Sequence, residues 1–218
     1  MRTLTKELRD TITPAQAIDI LRKGNERFQN NLKANRNLLQ QANDLRDGQF
    51  PFAAILSCID SRTSAELIFA QGLGDVFSIR IAGNFVNDDI LGSLEFACKV
   101  AGSKLIVVLG HSSCGAIKGA CDHVELGHLT GMLAKLQPAV ESVTEPRDPA
   151  LRTSQNAEFV QAVANANIDF GVAQVHERSP LLREMHEKGE IAIVGGMYDI
   201  SSGAVEFHTT PEQLERDA

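Results

Sequence analysis

Two short segments of this 218-residue chain carry side chains that could bind one metal ion together. Cys58 lies just after the apolar run 52–56, and His111 and Cys114 follow the apolar run 105–110. Such runs are typical of buried strands, and the loops after neighbouring parallel strands meet at the same edge of a sheet. Two thiolates and an imidazole suit zinc, and three protein ligands leave the fourth tetrahedral position open, as catalytic zinc requires.

Spacing alone leaves two interpretations of these three residues open, a metal site or a buried core. Cysteine is often buried as a small hydrophobe, so a His-x-x-Cys pair is weak evidence of metal binding. The other two cysteines, Cys98 and Cys121, are predicted to be structural core residues. The remaining histidines show no metal spacing and are predicted at the surface or in the core: His123, His128, His176, His186 and His208.

Asp60 and Arg62 favour a catalytic interpretation because a carboxylate and a guanidinium follow Cys58 closely. The guanidinium can bind the carboxylate through two parallel hydrogen bonds. Asp60 held in this way would be an acceptor that orients metal-bound hydroxide. Two alternatives stay open, in which Asp60 is a fourth metal ligand or a helix cap in a surface ion pair.

The composition indicates an ordinary globular protein, with 43% hydrophobic and 22% charged residues. The net charge of −7 gives no electrostatic reason to bind nucleic acid or an anionic membrane, so neither is expected as a partner. No run reaches the ~20 apolar residues of a membrane span, and the N-terminus lacks a secretory signal pattern. We therefore expect a cytoplasmic protein with free or metal-binding thiols.

Short apolar runs alternate with helical patterns along the chain. This alternation predicts a single α/β domain with a mainly parallel β-sheet flanked by helices. Residues 1–47 are predicted to form an N-terminal helical arm, packed on its own core or on a partner subunit, and 48–218 the α/β core. The strands are predicted at 52–56, 76–81, 105–109 and 191–194, with a C-terminal antiparallel edge strand within 197–208.

The arm contains one clear helix start. Thr13 is at the N-cap, with proline at the next position and Gln16 completing a capping box. The following apolar residues recur at helical spacing and predict one buried stripe: Ile18, Leu21, Phe28 and Leu32.

Taken together, the two segments resemble the beta-class carbonic anhydrases. The motifs are Cys58-Ile-Asp-Ser-Arg62 and His111-Ser-Ser-Cys-Gly115, about fifty residues apart, and the likeness extends from about Thr13 to the end of the chain. It includes Arg-Ile-Ala-Gly-Asn at 80–84 and Gly-Gly-Met-Tyr-Asp at 195–199. The resemblance implies Zn²⁺ bound by Cys58, His111 and Cys114, a catalytic dyad of Asp60 and Arg62, and substrate contacts from Gln49, Phe77, Phe96 and the amide of Gly115.

The resemblance also implies an activity and an assembly. The activity is that of a lyase, the reversible hydration of carbon dioxide to bicarbonate and a proton by zinc-bound hydroxide. The assembly is a homodimer or a tetramer built from dimers, with active sites at the dimer interface. Ile55 replaces the tryptophan of the subgroup regulated by non-catalytic bicarbonate, so we expect the plainly active subgroup. The alternatives are a carbon disulfide or carbonyl sulfide hydrolase on the same site and a non-catalytic zinc-binding module.

Overall fold

The computed structural model describes residues 3–32 and 35–209, which form a five-stranded sheet of order β2-β1-β3-β4-β5. The strands are β1 (Ala53–Ser57), β2 (Val76–Arg80), β3 (Leu105–His111), β4 (Ala192–Tyr198) and β5 (Val205–Phe207). The first four are parallel to one another, and β5 runs antiparallel to β4. The predicted α/β fold with an antiparallel C-terminal edge strand is confirmed.

Helices flank this sheet. Those in the described residues are α1 (Lys6–Asp10), α2 (Pro14–Gln29), α3 (Leu38–Asp44), α4 (Ala65–Ile68), α5 (Asp88–Glu95), α6 (Gly115–Cys121), α7 (Gly127–Leu133), α8 (Gln137–Ser142), α9 (Ala157–Arg178) and α10 (Pro180–Glu187). A π-helical turn, Phe96–Val100, continues α5. None of the helices in 3–32 and 35–209 is long and apolar enough to cross a membrane.

The two central strands are buried along their whole length, because helices cover both faces of the sheet. Ser57, the last residue of β1, lies opposite Leu109 of β3. Cys58 follows at once, and His111 ends β3 two residues beyond Leu109. The parallel register therefore brings the two predicted ligand segments to the same edge.

Helix α2 of the predicted arm packs on the core of its own chain, which is one of the two alternatives for it. Ile18 and Leu21 are fully buried in the same cluster as Ile55 and Leu105. The helix ends before Leu32, so this residue leaves the predicted buried stripe and is 61% exposed. The division of the chain into arm and core stays a prediction.

Helix α3 lies in a stretch whose hydrophobic pattern does not predict an element. The segment is polar, and only Gln41 is buried within the helix. Its start depends on Asn37, whose side chain accepts a hydrogen bond from the backbone N–H of Gln40 at 3.0 Å. A single capping residue outside an apolar repeat is too weak a signal to predict a helix.

Candidate metal centre

Three of the predicted site residues meet at the carboxyl edge of the sheet. Cys58 follows β1, His111 ends β3, and Cys114 precedes the first residue of α6. All three side chains are buried, and their potential ligand atoms lie within 4.8 Å of one another. Within 3–32 and 35–209, no other three His, Cys, Asp or Glu side chains form such a group. We call these three residues the Cys-His-Cys group.

The distance between the two sulfur atoms fits a shared metal ion. The Sγ atoms of Cys58 and Cys114 are 3.9 Å apart, and both thiols are free. Two thiolates at ~2.3 Å from one tetrahedral zinc ion would be separated by roughly 3.8 Å. The structure thus holds the two sulfurs at the separation that zinc requires.

The His111 imidazole supplies the third donor. Its Nδ1 lies 2.9 Å from the carbonyl oxygen of Ser112, which can only accept, so Nδ1 carries the proton. The opposite nitrogen, Nε2, is buried and has no hydrogen-bond partner among the described residues. An unpaired buried nitrogen costs stability unless something binds it. The donor set therefore fits a metal ion on the Nε2 lone pair.

The two thiols have opposite pKa shifts. The hydrogen bond from Cys114 is the main cause that lowers the pKa of Cys58, and the backbone N–H of Gly83 also donates to its sulfur at 3.4 Å. The same hydrogen bond and burial raise the pKa of Cys114. The pair thus favours loss of the Cys58 proton, and a cation that also displaces the Cys114 proton would gain two anionic ligands.

Asp60 and Arg62 form a two-pronged ion pair beside the group. Nε and Nη2 of Arg62 donate to the two carboxylate oxygens of Asp60 at 2.9 and 2.7 Å. The backbone N–H of Arg62 adds a third hydrogen bond at 2.9 Å. The Arg62 side chain is the main cause that holds the pKa of Asp60 well below its usual range. Asp60 is thus an ionised acceptor bound to Arg62, outside the Cys-His-Cys group.

Arg80 fastens the loop that carries Asp60, a role that the sequence patterns do not predict. Its Nε donates to the carbonyl oxygen of Cys58 at 3.0 Å, and its Nη2 donates to that of Asp60 at 2.7 Å. The hydroxyl of Thr63 lies 3.0 and 2.8 Å from the same two carbonyls. The feature that could have indicated this role is the position of Arg80 at the end of β2, opposite Ser57 of β1.

Gly115 is the predicted substrate contact that lies beside the metal group. It is the first residue of α6, directly after Cys114. Backbone N–H groups in the first turn of a helix have no acceptor within the helix. The Gly115 amide therefore has no acceptor within the helix, and the residue is exposed at this edge.

The other three predicted substrate contacts lie away from the group within one chain. Phe77 is opposite Ala54, four residues before Cys58, which is roughly 13 Å along the strand direction. Phe96 is 52% exposed and packs edge to face on Phe77, with ring centroids 6.3 Å apart. Gln49 is exposed in the segment before β1. The two rings line a cleft of about 570 Å³ whose lining does not include the Cys-His-Cys group.

The sequence is similar to known proteins over most of its length. A profile of the family described as "Carbonic anhydrase" matches residues 53–205. "Carbonic anhydrase 2" of Mycobacterium tuberculosis (strain ATCC 25618 / H37Rv) is 38% identical over 196 residues, which cover 87% of this chain and 90% of that protein.

Two solved structures share the fold. The beta-carbonic anhydrase CafA of Aspergillus fumigatus has a TM-score of 0.68 and 28% identity, covering 82% of this chain and 86% of that one. A chain from the two tetrameric beta-carbonic anhydrases of Sordaria macrospora has a TM-score of 0.64 and 27% identity, covering 76% and 84%. The family profile spans both segments of the Cys-His-Cys group, and the fold and the sequence are similar to those of these relatives. The chain therefore belongs to the beta-class carbonic anhydrase family.

Proposed function

We propose that this protein catalyses the reversible hydration of carbon dioxide to bicarbonate and a proton, with zinc held by Cys58, His111 and Cys114. The observation that carries the metal assignment is the buried Nε2 of His111, which has no hydrogen-bond partner in the described ranges 3–32 and 35–209. A ring nitrogen of His111 lies within 4.8 Å of two sulfurs that are themselves 3.9 Å apart, and Nδ1 is hydrogen-bonded to the carbonyl oxygen of Ser112. Membership of the family supports carbon dioxide hydration as the reaction, and the three donors support zinc as the metal.

Zinc, when bound, lowers the pKa of water and so supplies a nucleophile for the carbon of carbon dioxide. In this proposal the chain's own residues orient the reactants. Asp60, kept ionised by Arg62, accepts a hydrogen bond from the attacking oxygen and fixes its direction. The backbone amide of Gly115, which has no acceptor within its helix, donates to a substrate oxygen as negative charge develops there.

The number of protein donors supports an enzyme over a non-catalytic zinc-binding module. Structural zinc sites are closed by four protein ligands, whereas catalytic sites have three. Among the described residues the group contains three donors, and nearby Asp60 is held outside it by Arg62, with Oδ2 still able to accept a further hydrogen bond. A position is thereby left for the reacting molecule.

The proposed assembly is a homodimer or a tetramer built from dimers. Gln49, Phe77 and Phe96 lie away from the Cys-His-Cys group within one chain, so a second copy would have to bring such residues to it. The exposed apolar side chains of Phe96 and Leu67, 52% and 68% exposed, favour burial against another copy. The similar Sordaria macrospora enzymes are described as tetrameric.

The proposed cellular setting is the cytoplasm, with carbon dioxide and bicarbonate as the small-molecule partners. All four cysteines are free in the structure. Free thiols are typical of reducing compartments, which supports this location.

The test measures zinc content and stopped-flow hydration of carbon dioxide for the wild type, Cys114→Ser and Asp60→Asn. Cys114→Ser should lose zinc and most activity, because one of three ligands is replaced by a much weaker one. Asp60→Asn should keep zinc and lose roughly 10²-fold in kcat, since only the orienting acceptor is changed. Cys121→Ala is the matched control, a buried cysteine outside the group, and should keep both. Full activity in Cys114→Ser and Asp60→Asn would contradict the proposal.

A further inference from the structure

Ser112, the residue between the His111 ligand and the next turn, is anchored to the β4–β5 connection. Its backbone N–H donates to the carbonyl oxygen of Tyr198 at 2.9 Å, which extends the β3–β4 ladder by one residue. Its hydroxyl donates to the Oδ1 of Asp199 at 3.3 Å and accepts from the backbone N–H of Ile200 at 3.0 Å. The side chain is thus held from both sides by a connection 87 residues further along the chain.

The carbonyl of Ser112 is the acceptor that orients the His111 ring. Nδ1 of His111 donates to it at 2.9 Å, and this bond leaves Nε2 as the ring nitrogen available to a metal ion. The direction of this carbonyl depends on the peptide plane between Ser112 and Ser113. Ser113 has a φ of 57°, a left-handed conformation that a residue other than glycine keeps only when its surroundings enforce it. The anchors of Ser112 are such surroundings.

Asp199 is itself rigidly held as an ionised acceptor. Its carboxylate accepts from the backbone N–H of Ser201 at 2.8 Å and from the hydroxyls of Ser201 and Ser202 at 2.8 to 2.9 Å. These hydrogen bonds, with the backbone one largest, lower the pKa of Asp199 to about 2. The carboxylate is therefore charged and fixed at neutral pH, which strengthens its bond from the Ser112 hydroxyl.

The connection that carries Asp199 is fastened in turn to the N-terminal helix. The side chain of Asn25, buried in α2, donates to the carbonyl oxygen of Gly203 at 2.8 Å. Its Oδ1 accepts from the backbone N–H of Val205 at 2.9 Å. A continuous series of hydrogen bonds thus runs from α2 through the β4–β5 connection to Ser112 and the His111 ring.

We propose that Ser112 and Asp199 are positioning residues that hold the His111 imidazole with Nε2 directed at the metal. The inference rests on the zinc site proposed above. Neither side chain belongs to the Cys-His-Cys group, and both act through the carbonyl of Ser112. When the hydroxyl or the carboxylate is removed, the peptide between Ser112 and Ser113 relaxes towards an ordinary conformation. Nδ1 then loses its acceptor, and the ring becomes free to rotate away from the sulfurs.

The test is the dissociation constant for zinc, measured on the full-length protein by competition with a chromogenic chelator. Ser112→Ala and Asp199→Ala should each bind zinc about 10- to 100-fold more weakly, the usual cost of removing a group that orients a metal ligand. Ser112→Thr keeps the hydroxyl and should restore the affinity to within about threefold of the wild type. The double variant should be little weaker than either single one, because both act through one contact.

Ser113→Ala is the matched control. Its side chain is exposed on the same turn, and its hydroxyl makes no hydrogen bond in the part of the chain that the structure describes. Zinc affinity should be unchanged in this variant. An equal weakening in Ser113→Ala and Ser112→Ala would mean that any change on the turn disturbs the site, and would overturn the proposal.

A second readout separates positioning of the ring from general destabilisation. The cobalt(II)-substituted protein has ligand-field absorption bands that report the ligand geometry, and these should shift in Ser112→Ala and return in Ser112→Thr. Asp199→Ala does not change residues 111–114, so it provides the same test if Ser112→Ala does not fold. Wild-type zinc affinity and spectrum in both alanine variants would overturn this inference alone. A wild-type protein that binds no zinc would instead overturn the proposed function.

Discussion

The two ring nitrogens of His111 have different roles at the candidate metal centre. Nδ1 of His111 donates to a backbone carbonyl, and Nε2 is buried and has no hydrogen-bond partner in the part of the chain that the structure describes. Arg62 likewise donates to both oxygens of the Asp60 carboxylate and keeps that carboxylate ionised. At the residue scale, the chemistry therefore depends on hydrogen bonds that fix the orientation of His111 and the charge of Asp60.

Arg80 gives the first prediction at this scale. It reaches two carbonyl oxygens, those of Cys58 and Asp60, with different nitrogens of one planar group. A lysine ammonium is a point charge and cannot span both. Arg80→Lys should therefore lower kcat/KM for carbon dioxide by about 10-fold or more, since the Asp60 loop is no longer fixed.

The matched control is Arg178→Lys. Arg178 also spans a backbone carbonyl and a carboxylate, those of Val86 and Asp88, but it lies in α9 away from the Cys-His-Cys group. This variant should keep its kcat/KM. If Arg80→Lys also retains the wild-type value in the stopped-flow assay, the loop does not need the two-point contact.

Residue types and spacing were enough to single out the candidate ligands, with metal site and core both open until the family resemblance favoured zinc, but not the residues that orient them. Cys58, His111 and Cys114 follow directly on apolar runs, which is a local signal. The contact between Ser112 and Asp199 joins residues 87 positions apart and exists only because β4 lies beside β3. Such a contact follows from the strand order, which the sequence pattern alone does not determine.

At the scale of elements, strands with two covered faces were the easiest to predict. β1 and β3 are wholly buried, and their apolar runs predict them to within one or two residues. α3 was not predicted because its sequence is polar and its start depends on one capping side chain. The packing of α2 on its own core was left open, since an apolar stripe does not say which surface covers it.

The pair of helices α9 and α10 gives a pH-dependent prediction. The rings of His176 and His186 meet edge to face with centroids 4.7 Å apart. Burial first, then the charges of His186 and Arg183, lower the pKa of His176 below 6.5, and nearby Glu187 opposes the shift. The folded state therefore binds fewer protons than the unfolded state just below pH 6.5.

The sign follows from this difference in bound protons. The stability that neutral His176 contributes is present above pH 6.5 and is lost as the pH falls below that value. The free energy of unfolding in urea should decrease from pH 8 to pH 5.5, and His176→Gln should reduce that decrease. The exposed His128 is the control, and His128→Gln should leave the decrease as in the wild type. An identical pH dependence in all three proteins would contradict the prediction.

At the scale of the whole molecule, the proposed substrate contacts imply a site built from two copies. Two variants inactive for different reasons test this, Cys114→Ser in the metal group and Gln49→Ala outside it. If Gln49 acts on the partner's metal group, a mixed dimer has one intact site. Random pairing in an equal mixture makes half of the dimers mixed, so about a quarter of the wild-type activity should return.

The control mixes Cys114→Ser with Asp60→Asn. Cys114 is in the Cys-His-Cys group and Asp60 lies beside it on the same chain, so no intact site forms and activity should not rise above the mean of the separate variants. The two mixtures are prepared by unfolding and refolding together, and hydration is measured by stopped flow. A Gln49→Ala mixture without a gain would indicate that each chain builds its site alone.

The hydrogen bonds of Asn25 also bear on how the protein is made. They join α2 to residues 178 and 180 positions further along the chain. At ribosomal rates of about 5–20 residues per second, roughly 9 to 36 s pass between the synthesis of Asn25 and that of its partners. The packing of α2 is therefore complete only after residues 203–205 have been synthesised. The contacts that hold the β4–β5 connection behind the metal ligands thus form late in biosynthesis.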